Sequence, residues 1–312
     1  MCRVPDISAN ADVAEQAAAR ISRAQFYIDM ADRQSAFAEA DEALKITPDD
    51  VDVRHLVGRL AMSVGNFARA EHEFAIALQR RPDDVNLQAS DATRLMLVDD
   101  VGALNAFDRI VSAHPDHRYS RQSRAMLLLK LGQAEDAIAD FDVLLAESPR
   151  NAVLLTSRAH AAVAAGHLKQ AVADLTEALK QFPGRPDLIS DRAVVNEILG
   201  DHSAALADYE ALLGPIGGDQ ANYGMSGDQL AKFRMQRAFV SVRIKRFDDA
   251  AVEAVKALGA GGSRSYLRAQ VFLRQNGFPE TPLDGQPSEN LRKAMEACMG
   301  LNSCFEKISH SL

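Results

Sequence analysis

Histidine and cysteine residues are the first candidates for chemistry in this chain, because their side chains bind metals and transfer protons or electrons. Of the eight histidines, only His114 and His117 lie close together, and they flank Pro115, so we expect a surface loop there rather than a metal site. Cys298 and Cys304 can form a disulfide, which would indicate an oxidising compartment, or they can stay reduced. Zinc is disfavoured because two thiols supply only half of a zinc site, which His310 alone does not complete.

Catalytic motifs are missing from the sequence. It contains no nucleophile elbow, no P-loop, no dinucleotide-binding fingerprint and no zinc-hydrolase helix. The glycine-rich stretch 214–227 lacks the lysine and hydroxyl pair that a phosphate-binding loop needs. We therefore predict a protein that is not an enzyme, with no catalytic residues, no cofactor and no metal.

Composition narrows the classes of partner. The 312 residues carry a net charge of -8 and contain no long uncharged apolar run, so we expect no membrane span. An acidic balance without a basic run argues against nucleic acid, which needs a positively charged surface. Aromatic residues make up only 6% of the chain, so stacking platforms for bases are scarce too.

A period of about 34 residues runs through most of the chain and would position any functional side chains. It is marked by prolines that are 34, 33, 34 and 34 residues apart, namely Pro48, Pro82, Pro115, Pro149 and Pro183. Inside one period, Ala70, Phe74 and Ala77 follow at spacings of four and three, which places them on one stripe of a helix. We count seven such copies and interpret the stripe as a packing surface.

These features resemble the tetratricopeptide repeat family over residues 17–262, although the chain lacks the tryptophan that is usual in the first helix of each copy. The resemblance implies an all-α fold, a right-handed superhelical solenoid of about seven helix-turn-helix repeats. Residues 1–16 would be a short polar lead-in, and residues 263–312 a small C-terminal helical segment.

An arginine and an acidic residue recur 16 residues apart in five copies: Arg23 and Glu39, Arg124 and Asp140, Arg158 and Asp174, Arg192 and Asp208, and Arg237 and Glu253. In a helical hairpin this spacing brings the middles of the two helices opposite each other. We therefore predict an ion pair that joins them. The alternative is a row of arginines that binds an anionic ligand, but each arginine has its own carboxylate nearby.

The resemblance also implies a binding face, since the first helix of each tetratricopeptide copy lines a concave groove. The expected partner-binding residues are His55, Arg59, Met62, Thr93, Met96, Tyr119, Gln122, Met126, Lys130, Thr156, His160, Ser190, Val194, Met235 and Phe239. Such a mixture of methionine, aromatic and neutral polar groups suits an extended peptide or a partner helix. The lysine and asparagine pairs that clamp a C-terminal carboxylate in the family are absent, and packing against neighbouring helices is the alternative role for the methionines and Phe239.

The stretch 214–227 holds five glycines and interrupts the period between the sixth and seventh copies. We interpret it as an inserted loop. Tyr223 and Met225 could form a flap over the groove, and a flexible connector is the alternative.

The C-terminal segment resembles the core of a peptidoglycan-binding domain of the kind found at the ends of bacterial wall enzymes. Residues that carry the resemblance include Gln270, Gly277, Phe278, Asp284 and Gly285. Gly277 would end one helix, the Asp284-Gly285 pair would form a tight turn, and a second helix would begin near Ser288. Gln286-Pro287 replaces a family glycine, and a helical cap that shields the last repeat is the alternative role.

The combined interpretation is a non-catalytic scaffold that binds a protein or peptide in its groove, associated with a cell envelope if an export signal precedes the chain and cytoplasmic otherwise. The alternative is a saccharide-binding envelope protein that acts through residues 263–312, with peptidoglycan as its ligand. The sequence does not predict the oligomeric state.

Overall fold

A computed structural model describes residues 12–218 and 224–301 together with Cys304 and Lys307. Within these residues the chain forms sixteen α-helices and no β-strand. The helices are α1 (Val13–Asp29), α2 (Arg33–Ile46), α3 (Val51–Ser63), α4 (Phe67–Arg80), α5 (Val85–Leu95), α6 (Asp100–Ala113), α7 (Arg118–Lys130), α8 (Ala134–Glu147), α9 (Ala152–Ala164), α10 (Leu168–Gln181), α11 (Pro186–Leu199), α12 (His202–Leu213), α13 (Gly227–Arg243), α14 (Phe247–Leu258), α15 (Gly262–Gln275) and α16 (Glu289–Met299). The all-α prediction is confirmed for the described residues, and α1 begins at Val13, inside the expected lead-in.

The chain divides into two compact units: unit 1 extends up to Leu144, and unit 2 begins at Leu145. In unit 1, consecutive helices from α1 to α7 pack against each other, and α5 also contacts both α3 and α7. In unit 2, consecutive helices from α9 to α14 do the same. The pairs from α1/α2 to α13/α14 match the seven predicted copies.

Several helices begin just after a periodic proline, and a polar residue that follows the proline caps the helix. The side chains of Asp50, Asp84 and Asn151 accept hydrogen bonds from backbone N–H groups in the first turns of α3, α5 and α9. Helix α7 differs, because His117 takes the capping position without a side-chain bond to the backbone. Asp116, which follows Pro115 directly, lies one residue before this capping position.

The turn inside several pairs needs a left-handed residue. Gly65, Gly132, Gly166 and Gly200 have φ between 79° and 83°, where a Cβ atom would be strained. The α13/α14 pair has Lys245 at φ 64° instead, so the seventh copy keeps the backbone conformation without the glycine that suits it.

Small residues set the distance between paired helices. Ala70, Phe74 and Ala77 on α4 are completely buried, and Gly58 on α3 lies so close to the Phe74 ring that a Cβ atom there would come within 2.4 Å of it. The predicted stripe is therefore a packing surface, and the aromatic ring fills the space beyond the glycine.

All five predicted arginine–acid pairs form. The closest nitrogen–oxygen distances are 2.7 Å for Arg23–Glu39, 2.6 Å for Arg124–Asp140, 2.6 Å for Arg158–Asp174, 2.6 Å for Arg192–Asp208 and 2.8 Å for Arg237–Glu253. Because each arginine is used within its own helix pair, these five side chains serve folding rather than a ligand.

A second kind of arginine–acid pair, with a spacing of 19 residues, was not predicted from the sequence. Arg54 contacts Glu73 at 2.5 Å in the second pair, where a valine takes the usual arginine position, and Glu73 is only 1% exposed. Arg20–Glu39 and Arg121–Asp140 add the same contact in two other pairs. The acidic residue of the second helix is thus paired with an arginine that lies one turn earlier on the first helix. Both arginine positions can reach it, since residues three apart share a helix face.

The two C-terminal helices complete unit 2. Helix α16 packs on α14, and one apolar core joins Ala250 and Ala254 of α14 to Leu273 of α15 and Leu291 and Met295 of α16. The open face of α14 is therefore covered, as the alternative of a helical cap predicts.

The glycine-rich insertion lies between Leu213, where α12 ends, and Gly227, where α13 begins. Arg237 Nη1 donates to the Gly214 carbonyl at 2.6 Å, and the Gly217 N–H donates to Glu253 Oε1 at 2.9 Å. The first part of the insertion is thus held on α13 and α14. Tyr223 lies outside the described residues, so the flap hypothesis stays a prediction.

No described helix combines the length and the hydropathy that crossing a bilayer requires.

Candidate functional site

The fifteen residues predicted to bind a partner lie on the first helices of their pairs, with Met96 at the C-terminal end of α5. None of the fifteen is buried. We call these surfaces the first-helix face of unit 1, on α3, α5 and α7, and the first-helix face of unit 2, on α9, α11 and α13. Met126 is 53% exposed on the former and Val194 is 37% exposed on the latter, so each face carries an exposed apolar side chain.

Side chains on the first-helix face of unit 1 connect the first helices of successive pairs. The His55 Nε2 atom lies 2.7 Å from the Ser90 hydroxyl, which joins α3 to α5. The Thr93 hydroxyl donates to the Ala89 carbonyl at 2.8 Å. Tyr119 on α7 therefore donates its own hydroxyl hydrogen to Thr93 Oγ1 at 2.9 Å, since Thr93 has only one hydrogen to give.

A pocket of about 440 Å³ opens on this face. Its lining combines two cations, four hydroxyl groups and one thioether, from Arg33, Arg59, Met62, Ser63, Ser90, Thr93 and Tyr119. Four of these seven were expected at the groove. Arg33 was not, because it begins a second helix, and Ser63 and Ser90 carry no signal that separates them from surface serines.

Electrostatics near the pocket depend on arginine more than on histidine. Burial lowers the pKa of His55 below its ordinary value of 6.5, and the neighbouring charge of Arg59 lowers it further. His55 is therefore neutral at pH 7. Lys130, at the end of α7, is neutralised by Asp100 at 2.7 Å.

Polar side chains on the first-helix face of unit 2 form hydrogen bonds within the fold. His160 on α9 lies 3.0 Å from Asp191 on α11, and this hydrogen bond raises the pKa of the imidazole above 6.5. The hydroxyls of Thr156 and Ser190 donate to carbonyl oxygens of their own helices, those of Ala152 and Asp187. These two hydroxyls are therefore weaker candidates for contacting a ligand.

Two expected groove residues of α13 have a packing role. Met235 and Phe239 are half-buried against the core that α13 shares with the C-terminal helices. The exposed fraction of each side chain is therefore smaller than that of Val194, as the packing alternative predicts.

The C-terminal turn is built as the sequence predicts, with Gly277 at φ 103° and Gly285 at φ 65°. Buried Gln270 organises it: its amide nitrogen donates to Asp284 Oδ1 at 2.7 Å and its oxygen accepts from the Gly285 N–H at 2.9 Å. A separate pocket of about 480 Å³ lies between Gly277–Thr281 and α16, with Asn290 and Lys293 among its lining residues. Asp284 and Gly285 are outside this lining.

Cys298 and Cys304 form a disulfide in the structure, with their Cα atoms 5.3 Å apart. Both residues are buried in the core shared with α14. Over the described ranges, no group of three or more histidine, cysteine or acidic side chains is arranged to hold a metal ion.

Known repeat proteins are similar to this chain in sequence profile and in fold. The sequence profile of the tetratricopeptide repeat matches residues 102–152 and 156–221, and no curated protein matches the chain in sequence. The fold is similar to a tetratricopeptide repeat protein from Parabacteroides merdae ATCC 43184, at a TM-score of 0.55 and 16% identity, covering 92% of this chain and 100% of that one.

Two further solved structures share the fold over part of the chain. PilW, described as a widely conserved type IV pilus biogenesis factor, aligns at a TM-score of 0.57 and 20% identity over 63% of this chain and 91% of its own. The pilF protein of Pseudomonas aeruginosa aligns at a TM-score of 0.54 and 13% identity over 64% of this chain and 91% of its own. Residues 102–152 and 156–221 thus match the tetratricopeptide repeat in sequence, and the chain shares its fold with solved tetratricopeptide repeat structures.

Proposed function

We propose that the chain is a non-catalytic scaffold that binds an extended peptide or a helix of a partner protein on its first-helix faces. The observation that carries this proposal is that none of the fifteen face residues is buried, although their helices bury the opposite side. The fold supports protein binding as a class of function, and the face residues carry the specific proposal, because fold does not fix function. The pocket lined by Met62 and Tyr119 adds a concave, partly apolar feature of the kind that anchors a peptide side chain.

A selection of random peptides displayed on phage tests the proposal without a known partner. We expect enrichment on the full chain, loss of enrichment on the Met126→Glu/Val194→Glu variant, and full retention on Val143→Glu. Val143 is the matched control, since it is 43% exposed and lies on α8, a second helix. Equal loss on the face variant and the control would contradict the assignment of the binding face.

A second candidate function is saccharide binding through residues 263–312. The pocket of about 480 Å³ beside Gly277 favours it, because Asn290 and Lys293 supply donors next to Phe278. Co-sedimentation with insoluble peptidoglycan is the test, with Asn290→Ala and Lys293→Ala expected to reduce binding. Sedimentation that is unchanged in both variants, or absent from the wild type, would leave the segment with its role as a cap.

Location in a cell envelope is part of the proposal, and the Cys298–Cys304 disulfide supports it because such bonds persist in oxidising compartments. The test is alkylation of free thiols in protein isolated from its native cells without reductant. Protection of both cysteines is the expected result. Two alkylated cysteines would indicate a cytoplasmic scaffold.

A further inference from the structure

The pocket on the first-helix face of unit 1 has an unusual distribution of charge. Nine arginines of this unit form ion pairs with acidic side chains, from Arg20 on α1 to Arg124 on α7. Arg33 and Arg59 differ, since neither guanidinium has a hydrogen-bond or ion-pair partner within residues 12–218 and 224–301. Both line the same pocket. Two unneutralised cations therefore face one cavity in a chain whose net charge is -8.

Acidic side chains near this face are already engaged. Asp52 on α3 binds both terminal nitrogens of Arg81, at 2.8 and 2.9 Å, and Asp100 binds Lys130. No acidic residue is part of the pocket lining. The positive charge of Arg33 and Arg59 is thus available to a ligand rather than balanced within the fold.

The hydroxyl groups of the pocket are poor donors for a ligand. Ser63 donates to the Leu60 carbonyl at 2.7 Å, Thr93 donates to Ala89, and Tyr119 donates to Thr93. The Ser90 hydroxyl is paired with His55. A ligand oxygen that accepts hydrogen bonds in this pocket therefore depends on the two guanidinium groups, whose planar donor arrays match carboxylate oxygens.

We propose that this pocket selects partners through an acidic side chain, so that the bound segment carries an aspartate or glutamate placed between Arg33 and Arg59 with an apolar neighbour against Met62. The inference rests on the proposed function of the first-helix faces and names the chemistry of the segment they bind. A pocket of about 440 Å³ with a thioether and an aromatic ring has room for more than a free inorganic anion.

The peptides enriched by selection on the full chain provide the test. We expect aspartate or glutamate at one recurring position beside an apolar residue on the wild type, and loss of this acidic preference on the Arg33→Ala/Arg59→Ala variant. Arg109→Ala is the matched control, because Arg109 is also exposed and also without a partner in the described part of the chain, but lies on α6 and lines a different pocket. The control should keep the preference.

Fluorescence anisotropy with one enriched peptide and its asparagine or glutamine counterpart gives the size of the effect. We expect each single variant, Arg33→Ala or Arg59→Ala, to weaken binding of the acidic peptide by about tenfold and to leave the amide peptide nearly unchanged. Inorganic phosphate in the millimolar range should not displace the acidic peptide.

The outcomes separate the two proposals. Enriched peptides without an acidic position, or an acidic preference that survives in the double variant, would overturn this inference while the peptide-binding function stands. Displacement by phosphate would show a site for small anions and would overturn it too. An absence of enriched peptides on the wild type would contradict the proposed function and this inference together.

Discussion

Replacing Arg237 by methionine tests how the seventh helix pair and the insertion hold together. Arg237 and Glu253 are both completely buried, and Arg237 Nη2 lies 2.8 Å from Glu253 Oε1. Arg237 also donates to the Gly214 carbonyl at 2.6 Å. Arg237→Met removes both contacts and leaves a buried carboxylate with the Gly217 N–H as its remaining donor. Removing one member of a buried ion pair costs about 3–5 kcal/mol.

Hydrogen exchange measured by mass spectrometry can locate this loss within the chain. A cost of about 3–5 kcal/mol corresponds to faster exchange by roughly 10²- to 10³-fold or more in peptides from α13 and α14. Peptides from α3 and α4 in unit 1 serve as an internal reference and should not change. Arg243→Met is the matched control, because Arg243 ends the same helix and is exposed.

The double variant Arg237→Met/Glu253→Gln refines the test. Arg237 Nε and Glu253 Oε2 are buried with no hydrogen-bond partner among the described residues, so the pair is incompletely compensated for its loss of water. Neutralising the carboxylate should therefore recover most of the lost protection. Unchanged exchange in Arg237→Met, or a double variant as unprotected as the single one, would refute the reasoning.

Three further predictions concern the repeats. Lys245→Gly should stabilise the seventh pair by about 1 kcal/mol, because Lys245 holds a left-handed backbone conformation at φ 64°, and a lower urea midpoint would contradict this. Ala159→Trp should destabilise the fold by overpacking a completely buried position, whereas Ala164→Trp on the exposed side of α9 should melt like the wild type by circular dichroism. His160 has a pKa raised above 6.5 by its hydrogen bond to Asp191, so the stabilisation it supplies is complete below about pH 6.5 and is lost as the pH rises through that raised pKa. Titration by NMR should show this pKa fall in Asp191→Asn, and an unchanged value would disprove the coupling.

Much of the helical architecture was predictable because it depends on local periodicity. Residues at spacings of three and four share a helix face, so the spacing of Ala70, Phe74 and Ala77 alone identifies a packing stripe. A fixed hairpin length likewise brings residues 16 apart together, and this is why the ion pair Arg124–Asp140 could be predicted from sequence. The spacing of 19 in Arg54–Glu73 follows the same geometry.

The sequence by itself determined the helix pairs, their small-residue contacts and the acidic partners of the repeated arginines, since each depends on the geometry of one hairpin. Only the tertiary structure decided that Arg33 of one pair and Arg59 of the next line a single pocket, because their distance depends on how successive pairs stack. It also decided that Arg237 reaches Gly214 across an insertion whose backbone has no period to extrapolate. Contacts within a helix pair follow from the spacing of residues in the sequence, whereas contacts that depend on the packing angle of two pairs or on the path of a loop are set only by the tertiary structure.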